Sequence, residues 1–193
     1  MTPAPLLLVV GGPNGAGKST AIAQLRPPGE AVNVDEIAST LGGPTTGRNA
    51  RAARLAIGRI DALLDARQDF NFETTLSSQQ ALNVMSRAKD RGYRVELAFI
   101  ILRSPDLHVA RVKQRVAQGG HDIPIETIRR RYGRSLDNLR QAVGLADQTI
   151  VYDNTEPTLR TLVRRTGAEL LFDGLADWIA DPQLVRAITV AVN

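Results

Sequence analysis

The 193-residue sequence contains no cysteine, and aromatic residues make up only 4% of it. The absence of cysteine excludes disulfide bonds, thiolate metal sites and cysteine nucleophiles. It fits a reducing environment, so we expect a cytoplasmic protein. The low aromatic content indicates that aliphatic side chains dominate the hydrophobic core.

The sequence also lacks an apolar run of membrane-spanning length. The opening apolar stretch, residues 6–10, is far shorter than the roughly 20 residues of a transmembrane helix, and it leads directly into a glycine-rich motif. We therefore expect neither a signal peptide nor an association with a membrane.

Lysine is scarce, and arginine carries most of the positive charge. Lysine occurs only at Lys18, Lys89 and Lys113, although the net charge is +4. The planar guanidinium group of arginine can bind two phosphate oxygens at once. The excess of arginine over lysine therefore suits a protein that binds phosphate groups. An ordinary solvated surface explains a positive balance of this size equally well, and nucleic acid is not an expected partner.

Short apolar runs alternate with longer amphipathic stretches along the chain, which is the pattern of a parallel sheet covered by helices. We predict an α/β fold in one domain, residues 1–193, with five or six strands. The predicted strands are residues 6–10, 31–34, 70–73, 95–102, 149–152 and 169–172. The predicted helices are residues 18–25, 49–66, 78–91, 105–118 and 125–143, with another short helix after Asp181.

The strongest motif is G-P-N-G-A-G-K-S at residues 12–19, which matches the P-loop pattern. It follows a predicted strand and precedes a predicted helix, so its backbone N–H groups and the helix N-terminus would face the same anion. We predict that Lys18 bridges the terminal phosphates of ATP, that Ser19 binds Mg²⁺, and that Thr20 contacts the α-phosphate region. The predicted nucleotide-binding residues are Gly12, Pro13, Asn14, Gly15, Ala16, Gly17, Lys18, Ser19 and Thr20.

This motif sharpens the fold prediction to a P-loop NTPase three-layer sandwich, with a mostly parallel sheet and a helical lid. Two carboxylates should lie at the ligand-binding edge, because Asp35 directly follows one predicted strand and Glu73 ends the next. Asp35 can take a proton from an attacking hydroxyl group or hold magnesium through water, and it also suits a helix cap. Glu73, Thr74 and Thr75 are predicted to contact the substrate, although turn chemistry explains Thr74 equally well.

Two arginine-rich predicted helices flank the glycine-containing loop at residues 119–124. In kinases, arginines on a closing lid neutralise the transferred phosphoryl group. Arg115 is the first candidate for this role, and His121, Arg130 and Arg131 are further lid candidates. Most of the neighbouring arginines are expected on the surface, because a helix cannot turn all of them inward.

From Gly12 to about Asn154 the sequence resembles the zeta-toxin family of P-loop kinases. The resemblance rests on the motif at 12–19 and on N-V-D-E at 33–36, F-E-T-T-L at 72–76, G-G-H-D-I-P at 119–124, R-R-Y at 130–132, S-L-D-N-L at 135–139 and Y-D-N at 152–154. It implies ATP-dependent phosphorylation of a nucleotide sugar, UDP-N-acetylglucosamine, and an antitoxin as a possible partner.

By matched position, the resemblance implies that Asp35 is the general base. It likewise implies that Glu73 and Thr75 contact the substrate, and that Lys18 and Arg115 clamp the phosphates. The sequence departs from the family at His121, which stands where the toxins carry a second lid arginine.

Three functions are compatible with these patterns. The leading hypothesis is a small-molecule kinase that uses ATP and magnesium. A nucleotide or polynucleotide kinase is the alternative that the basic charge favours, and it predicts oligonucleotide binding that weakens steeply with salt. A regulatory ATPase or nucleotide-dependent binding module is the third, although residues 32–36 form only a short version of the apolar strand ending in Asp-Glu that motor ATPases carry.

Overall fold

The computed structural model describes residues 3–42, 47–120, 122–173 and 182–189. In chain order the elements are β1 (Leu6–Gly11), α1 (Lys18–Leu25), β2 (Glu30–Val32), α2 (Val34–Thr40), α3 (Arg48–Asp65), β3 (Phe70–Thr74), α4 (Gln79–Asp90), β4 (Arg94–Ile101), α5 (Pro105–Ala117), α6 (Ile125–Leu145), β5 (Gln148–Asp153), β6 (Arg160–Thr166), β7 (Glu169–Phe172) and α7 (Pro182–Thr189). The predicted short helix near the end of the chain is confirmed by α7.

The seven strands form one sheet in the order β2-β3-β1-β4-β5-β6-β7. The pairs from β2 to β5 are parallel, and the pairs β5-β6 and β6-β7 are antiparallel. The carboxyl ends of β1 to β5 therefore meet at one edge, with β1 in the middle. This arrangement confirms the predicted α/β fold with a mostly parallel sheet and places the P-loop at the centre of that edge.

Aliphatic side chains dominate the core, as the composition predicts. Strand β4 shows why the sheet is covered on both faces: Leu97, Phe99 and Ile101 belong to the larger core cluster, whereas Ile100 belongs to a smaller one with Val10. Successive side chains of a strand point to opposite faces, so an unbroken apolar run is what a strand covered by helices on both sides requires. The larger cluster includes side chains of α3, α4 and α6, and the smaller one includes a side chain of α1.

The sheet has one strand more than the five or six predicted. The additional strand is β6, whose burial pattern is interrupted by exposed residues and whose sequence, R-T-L-V-R-R-T, contains three arginines. It pairs on both sides with antiparallel strands, which allow a more polar, partly solvated face than parallel strands do. The hydropathy of residues 160–166 alone therefore cannot distinguish strand β6 from a loop.

The second predicted strand, residues 31–34, is also corrected by the structure. Strand β2 ends at Val32 because Asn33 caps helix α2, accepting hydrogen bonds from the N–H groups of Asp35 and Glu36. Val34 is thus the first helical residue, and the cap is Asn33 rather than Asp35. Among the residues that the structure describes, no helix is long and apolar enough to cross a membrane.

Candidate active site

The P-loop joins β1 to α1 and depends on glycine at two closely packed positions. A Cβ atom on Gly12 would lie 2.1 Å from the carbonyl oxygen of Ile100, and one on Gly17 would lie 2.3 Å from Nδ2 of Asn154. Both glycines also have positive φ angles, 151° and 81°. A residue with a side chain could therefore not take the place of either glycine without displacing the backbone of β4 or the side chain of Asn154.

The Lys18 side chain is directed back into this loop and is only 7% exposed. Its Nζ donates a hydrogen bond to the carbonyl oxygen of Pro13 at 3.3 Å and lies 3.8 Å from Oε1 of Glu73. Burial lowers the pKa of Lys18, the charges of Glu73 and Asp35 act to raise it, and Arg115 acts to lower it. A cation held partly out of water is well suited to bind phosphate oxygens.

Glu73 lies beside the P-loop because β3 pairs with β1 in a register that sets it opposite Val10. Its Oε2 accepts a hydrogen bond of 2.9 Å from the hydroxyl group of Ser19. The Glu73 carboxylate thus contacts Ser19, which is predicted to bind Mg²⁺, and lies 3.8 Å from Lys18, which is predicted to bind the phosphates. The contact of Glu73 with a substrate hydroxyl group stays a prediction.

A cavity of about 460 Å³ opens over the P-loop. It is lined by Gly15, Gly17, Lys18, Ser19, Thr20, Glu73, Arg111, Arg115, Asn154, Glu156 and Pro157. We call it the phosphate-loop cavity. Of the other predicted nucleotide-binding residues, Gly12, Pro13 and Ala16 are buried beneath it, and Asn14 faces a different cavity.

That different cavity has a volume of about 640 Å³ and lies between α2, α3 and α6. It is lined by Asn14, Val34, Asp35, Ala38, Ser39, Arg48, Asn49, Thr75, Arg115, Asp122, Ile123, Pro124, Thr127 and Arg131. We call it the acceptor cavity. Arg115 lines both cavities, so the two spaces adjoin at this residue.

Two of the predicted substrate residues, Asp35 and Thr75, line the acceptor cavity. Asp35 is exposed at the start of α2, and its charge acts on Lys18, so both side chains belong to the same edge of the sheet. Thr74 lines neither cavity, and its hydroxyl oxygen accepts a 3.0 Å hydrogen bond from the N–H of Leu76. That contact is the turn chemistry given above as the alternative for Thr74.

Helix α6 brings one of the predicted lid arginines to the P-loop. The Arg131 guanidinium donates a 3.3 Å hydrogen bond to the side-chain oxygen of Asn14. Arg130 is exposed and lines neither cavity. His121 lies outside the described residues.

The same face of α6 is held against the loop that follows β3. Ser135, one turn after Arg131, donates a hydrogen bond to the carbonyl oxygen of Thr75. Asn138, a further turn along, donates one of 2.9 Å to the carbonyl oxygen of Leu76. These bonds fix the orientation of the helix, and hence the approach of Arg131 to the P-loop.

The structure adds residues that the sequence did not single out as site residues. Arg111 lines the phosphate-loop cavity and donates a 2.8 Å hydrogen bond to the carbonyl oxygen of Thr155. Asn154 is buried and donates one of 2.8 Å to the carbonyl oxygen of Ala16. Arg111 precedes Arg115 by one helical turn, so helical spacing could have identified it.

The geometry of the sheet and P-loop defines a P-loop protein of the α/β class. Residues 7–140 match the AAA domain family. Because this match covers more than half of the chain, the protein belongs to that family.

Individual proteins and solved structures are also similar to this chain. An uncharacterised protein from Haemophilus influenzae is 34% identical over 127 residues, which cover 63% of this chain and 88% of the relative. A structure of the PezAT chromosomal toxin–antitoxin system of Streptococcus pneumoniae superposes with a TM-score of 0.63 at 17% identity, covering 82% of this chain and 71% of the other. A structure of AvrRxo1-ORF1:-ORF2 with ATP gives a TM-score of 0.67 at 18% identity, covering 97% of this chain and 64% of the other.

These structural matches confirm the P-loop fold that the zeta-toxin resemblance implies. At such identities they show a shared fold, which by itself does not determine the substrate or the partners.

Proposed function

We propose that this protein is an ATP-dependent kinase that transfers the γ-phosphate to a hydroxyl group of a small molecule. The observation that carries the proposal is the pair of adjoining cavities, with Lys18 in one, Asp35 in the other and Arg115 lining both. A phosphotransferase needs two bound reactants whose reacting groups meet at one point. A simple switch ATPase needs only the first cavity.

In the proposed reaction the acceptor hydroxyl oxygen forms a bond to the γ-phosphorus as the bond to the β-phosphate oxygen breaks. ADP is the leaving group, and the hydroxyl proton passes to the carboxylate of Asp35. Arg115 offers positive charge where the cavities adjoin, which is where the transferred group acquires its spread negative charge.

The P-loop side of the site fits an ATP–magnesium complex. Magnesium prefers oxygen ligands, and Ser19 and Glu73 present a hydroxyl and a carboxylate oxygen 2.9 Å apart. Among the described residues no group of three or more histidine, cysteine, aspartate or glutamate side chains could hold a metal ion. Ser19 and Glu73 would hold the ion together with the phosphates, and it would neutralise phosphate charge when bound.

The acceptor side favours a molecule that already carries negative charge. Arg48, Arg115 and Arg131 contribute three cations to its lining, against the two carboxylates Asp35 and Asp122. The Nε atom of Arg48 is buried and has no hydrogen-bond partner among the described residues. Together with the resemblance noted above, this charge supports a nucleotide sugar such as UDP-N-acetylglucosamine, whose diphosphate would pair with the arginines.

We also propose that residues 1–193 act as one kinase-like domain and that an antitoxin-like protein binds it. Helix α7 supports the first point, since Leu184 and Ala187 join the main core cluster. The second point is supported by the fold neighbours, because PezAT is a toxin–antitoxin system and AvrRxo1-ORF1 was solved with ORF2.

The test is to incubate the protein with γ-labelled ATP, magnesium and a metabolite pool, with added UDP-N-acetylglucosamine, and to identify the labelled products by mass spectrometry. We expect label on a hydroxyl group of the nucleotide sugar, and about a thousandfold slower labelling with the Asp35→Asn variant. Label recovered only as inorganic phosphate would contradict a kinase and support a regulatory ATPase. Label on added oligonucleotides would support a polynucleotide kinase instead.

A further inference from the structure

His108 on α5 is fully buried next to the P-loop, and the transfer reaction proposed above does not use it. Its Nδ1 forms a 2.9 Å hydrogen bond with the carbonyl oxygen of Asn14, and its Nε2 accepts one of 3.2 Å from the N–H of Leu102. A carbonyl oxygen can only accept, and an N–H can only donate. The ring must therefore be neutral, with its proton on Nδ1.

The contact between α5 and the P-loop extends beyond the ring. A Cβ atom on Gly15 would lie 2.5 Å from the carbonyl oxygen of His108 and 3.1 Å from Cγ2 of Val112. On its other side the imidazole packs edge-on against Tyr132 of α6, with ring centroids 5.3 Å apart. His108 thus contacts the P-loop, the residue after β4 and the lid helix at once.

The bond to Asn14 determines where the next backbone N–H points. The peptide between Asn14 and Gly15 is planar and trans, so its C=O and N–H groups point in opposite directions. Since His108 binds the oxygen, the N–H of Gly15 faces away from the histidine. Gly15 lines the phosphate-loop cavity, which makes this N–H one of the donors available to a bound phosphate.

We propose that His108 is a positioning residue for nucleotide binding: by donating from Nδ1 to the Asn14 carbonyl, it orients the N–H of Gly15 toward the phosphates. The proposal rests on the nucleotide-binding part of the proposed function and requires no particular acceptor. It predicts that the donor on Nδ1, rather than the bulk of the ring, sets the affinity for ATP.

The charged groups around His108 favour the required neutral form. Burial is the largest influence and lowers the pKa of His108 to about 4, opposed by its bond to Asn14. Lys18 of α1 and Arg111 of α5 also act to lower this pKa. Tyr132 is the titratable group that packs against the ring from α6. The proton on Nδ1 is therefore the only one that the ring carries near neutral pH.

Two substitutions separate the two hydrogen bonds. His108→Asn places an amide nitrogen where Nδ1 stands and keeps a donor for Asn14, while the partner of Leu102 is lost. His108→Gln reaches the position of Nε2 and keeps an acceptor for Leu102, while the donor to Asn14 is lost. Each variant removes one buried hydrogen bond, so the two serve as controls for each other.

ATP affinity is to be measured by calorimetric titration in the presence of magnesium, together with the melting temperature of each variant. We expect His108→Gln to weaken ATP binding by about tenfold, and His108→Asn to stay within about threefold of the wild type. Both variants should lower the melting temperature to a similar extent. If an acceptor is known, KM for ATP should rise in His108→Gln while KM for the acceptor stays unchanged.

Equal ATP affinities for the two variants would overturn the proposal and leave His108 a purely structural residue. Wild-type protein that binds ATP without transferring phosphate would contradict the proposed kinase reaction and leave the role of His108 intact. If His108→Gln does not fold, ¹⁵N spectra of the wild-type imidazole decide the matter. We expect the Nδ1–H tautomer and a shift of its Nδ1 signal on ADP addition, whereas an Nε2–H tautomer would overturn the proposal.

Discussion

The phosphate-loop cavity and the acceptor cavity are built in different ways. Behind the first lie buried groups that hydrogen-bond to the P-loop backbone, such as Lys18, His108 and Asn154. The second is bounded by the ends of helices, and its functional side chains, including Asp35 and Arg131, are exposed or half-buried. Changes behind the first cavity should therefore alter folding and nucleotide binding together, whereas changes in the second, apart from the shared Arg115, should alter mainly acceptor use.

The largest effect is expected for a substitution of Asp35, which tests whether acceptor use can be changed without changing ATP binding. In Asp35→Asn the carboxylate can no longer take the acceptor proton, so kcat should fall about a thousandfold. The Kd for ATP should change less than about threefold, because Asp35 lines only the acceptor cavity. Steady-state kinetics and calorimetric titration measure the two quantities. A parallel loss of ATP binding would show that the cavities are not separable.

The next effect concerns the buried wall of the phosphate-loop cavity. The pKa of His108 is about 4, compared with 6.5 for an ordinary histidine, so between these values the unfolded chain binds a proton that the folded protein does not. The contribution of His108 to the free energy of unfolding should have its full value above about pH 6.5. It should fall by roughly 3 kcal/mol as the pH drops to 4. Denaturant unfolding at a series of pH values measures this slope.

The matched control for that experiment is His108→Asn, which has no imidazole at this position. Its stability should depend less steeply on pH across the same interval. An unchanged slope would mean that other groups cause the acid sensitivity.

A tenfold effect is expected within the acceptor cavity, where α6 offers a matched pair of arginines. Arg131→Ala should raise KM for an anionic acceptor about tenfold, since Arg131 lines the cavity and contacts Asn14. Arg130→Ala removes the same charge from an exposed position on the same helix and should leave KM unchanged. Similar effects of the two substitutions would point to a general loss of positive field instead.

The smallest effect concerns the attachment of α6. Ser135→Ala removes the hydroxyl group that donates to the carbonyl oxygen of Thr75 and should reduce the free energy of unfolding by about 1 kcal/mol. Since Arg131 lies one turn away, KM for the acceptor should rise by a smaller factor than in Arg131→Ala. Urea denaturation measures the first quantity, and an unchanged acceptor KM would show that α6 is positioned by its apolar contacts alone.

The sequence predicted the part of the site that local pattern determines. The P-loop motif specifies its own conformation, and alternating apolar runs correctly placed Asp35 and Glu73 at the edge of the sheet where the P-loop lies. Strand register is a long-range property, so the contact of Glu73 with Ser19 could not be read from the chain. Nor could the sequence show that Arg131, and not Arg130, lines the acceptor cavity. That depends on how Ser135 and Asn138 attach α6 to the loop after β3.

Two residues and one strand were missed for separate physical reasons. Arg111 lies one helical turn before Arg115, and this spacing is visible in the sequence. Its place in the lining of the phosphate-loop cavity, however, depends on how α5 packs over the P-loop. His108 falls among apolar residues and carries no sequence mark of its bond to Asn14, 94 positions away. In β6 the arginines hide a strand whose two neighbouring residues Leu162 and Val163 are both buried.

In the proposed kinase reaction, Arg115 would link the binding of ATP to the binding of the acceptor, because it lines both cavities. A ligand that draws the guanidinium group toward one cavity changes the charge that the other can offer. Thermodynamic reciprocity then requires that ATP alter the affinity for the acceptor by the same factor by which the acceptor alters the affinity for ATP. A single shared cation would thus make the binding of each substrate depend on the other by the same factor, whichever of the two binds first.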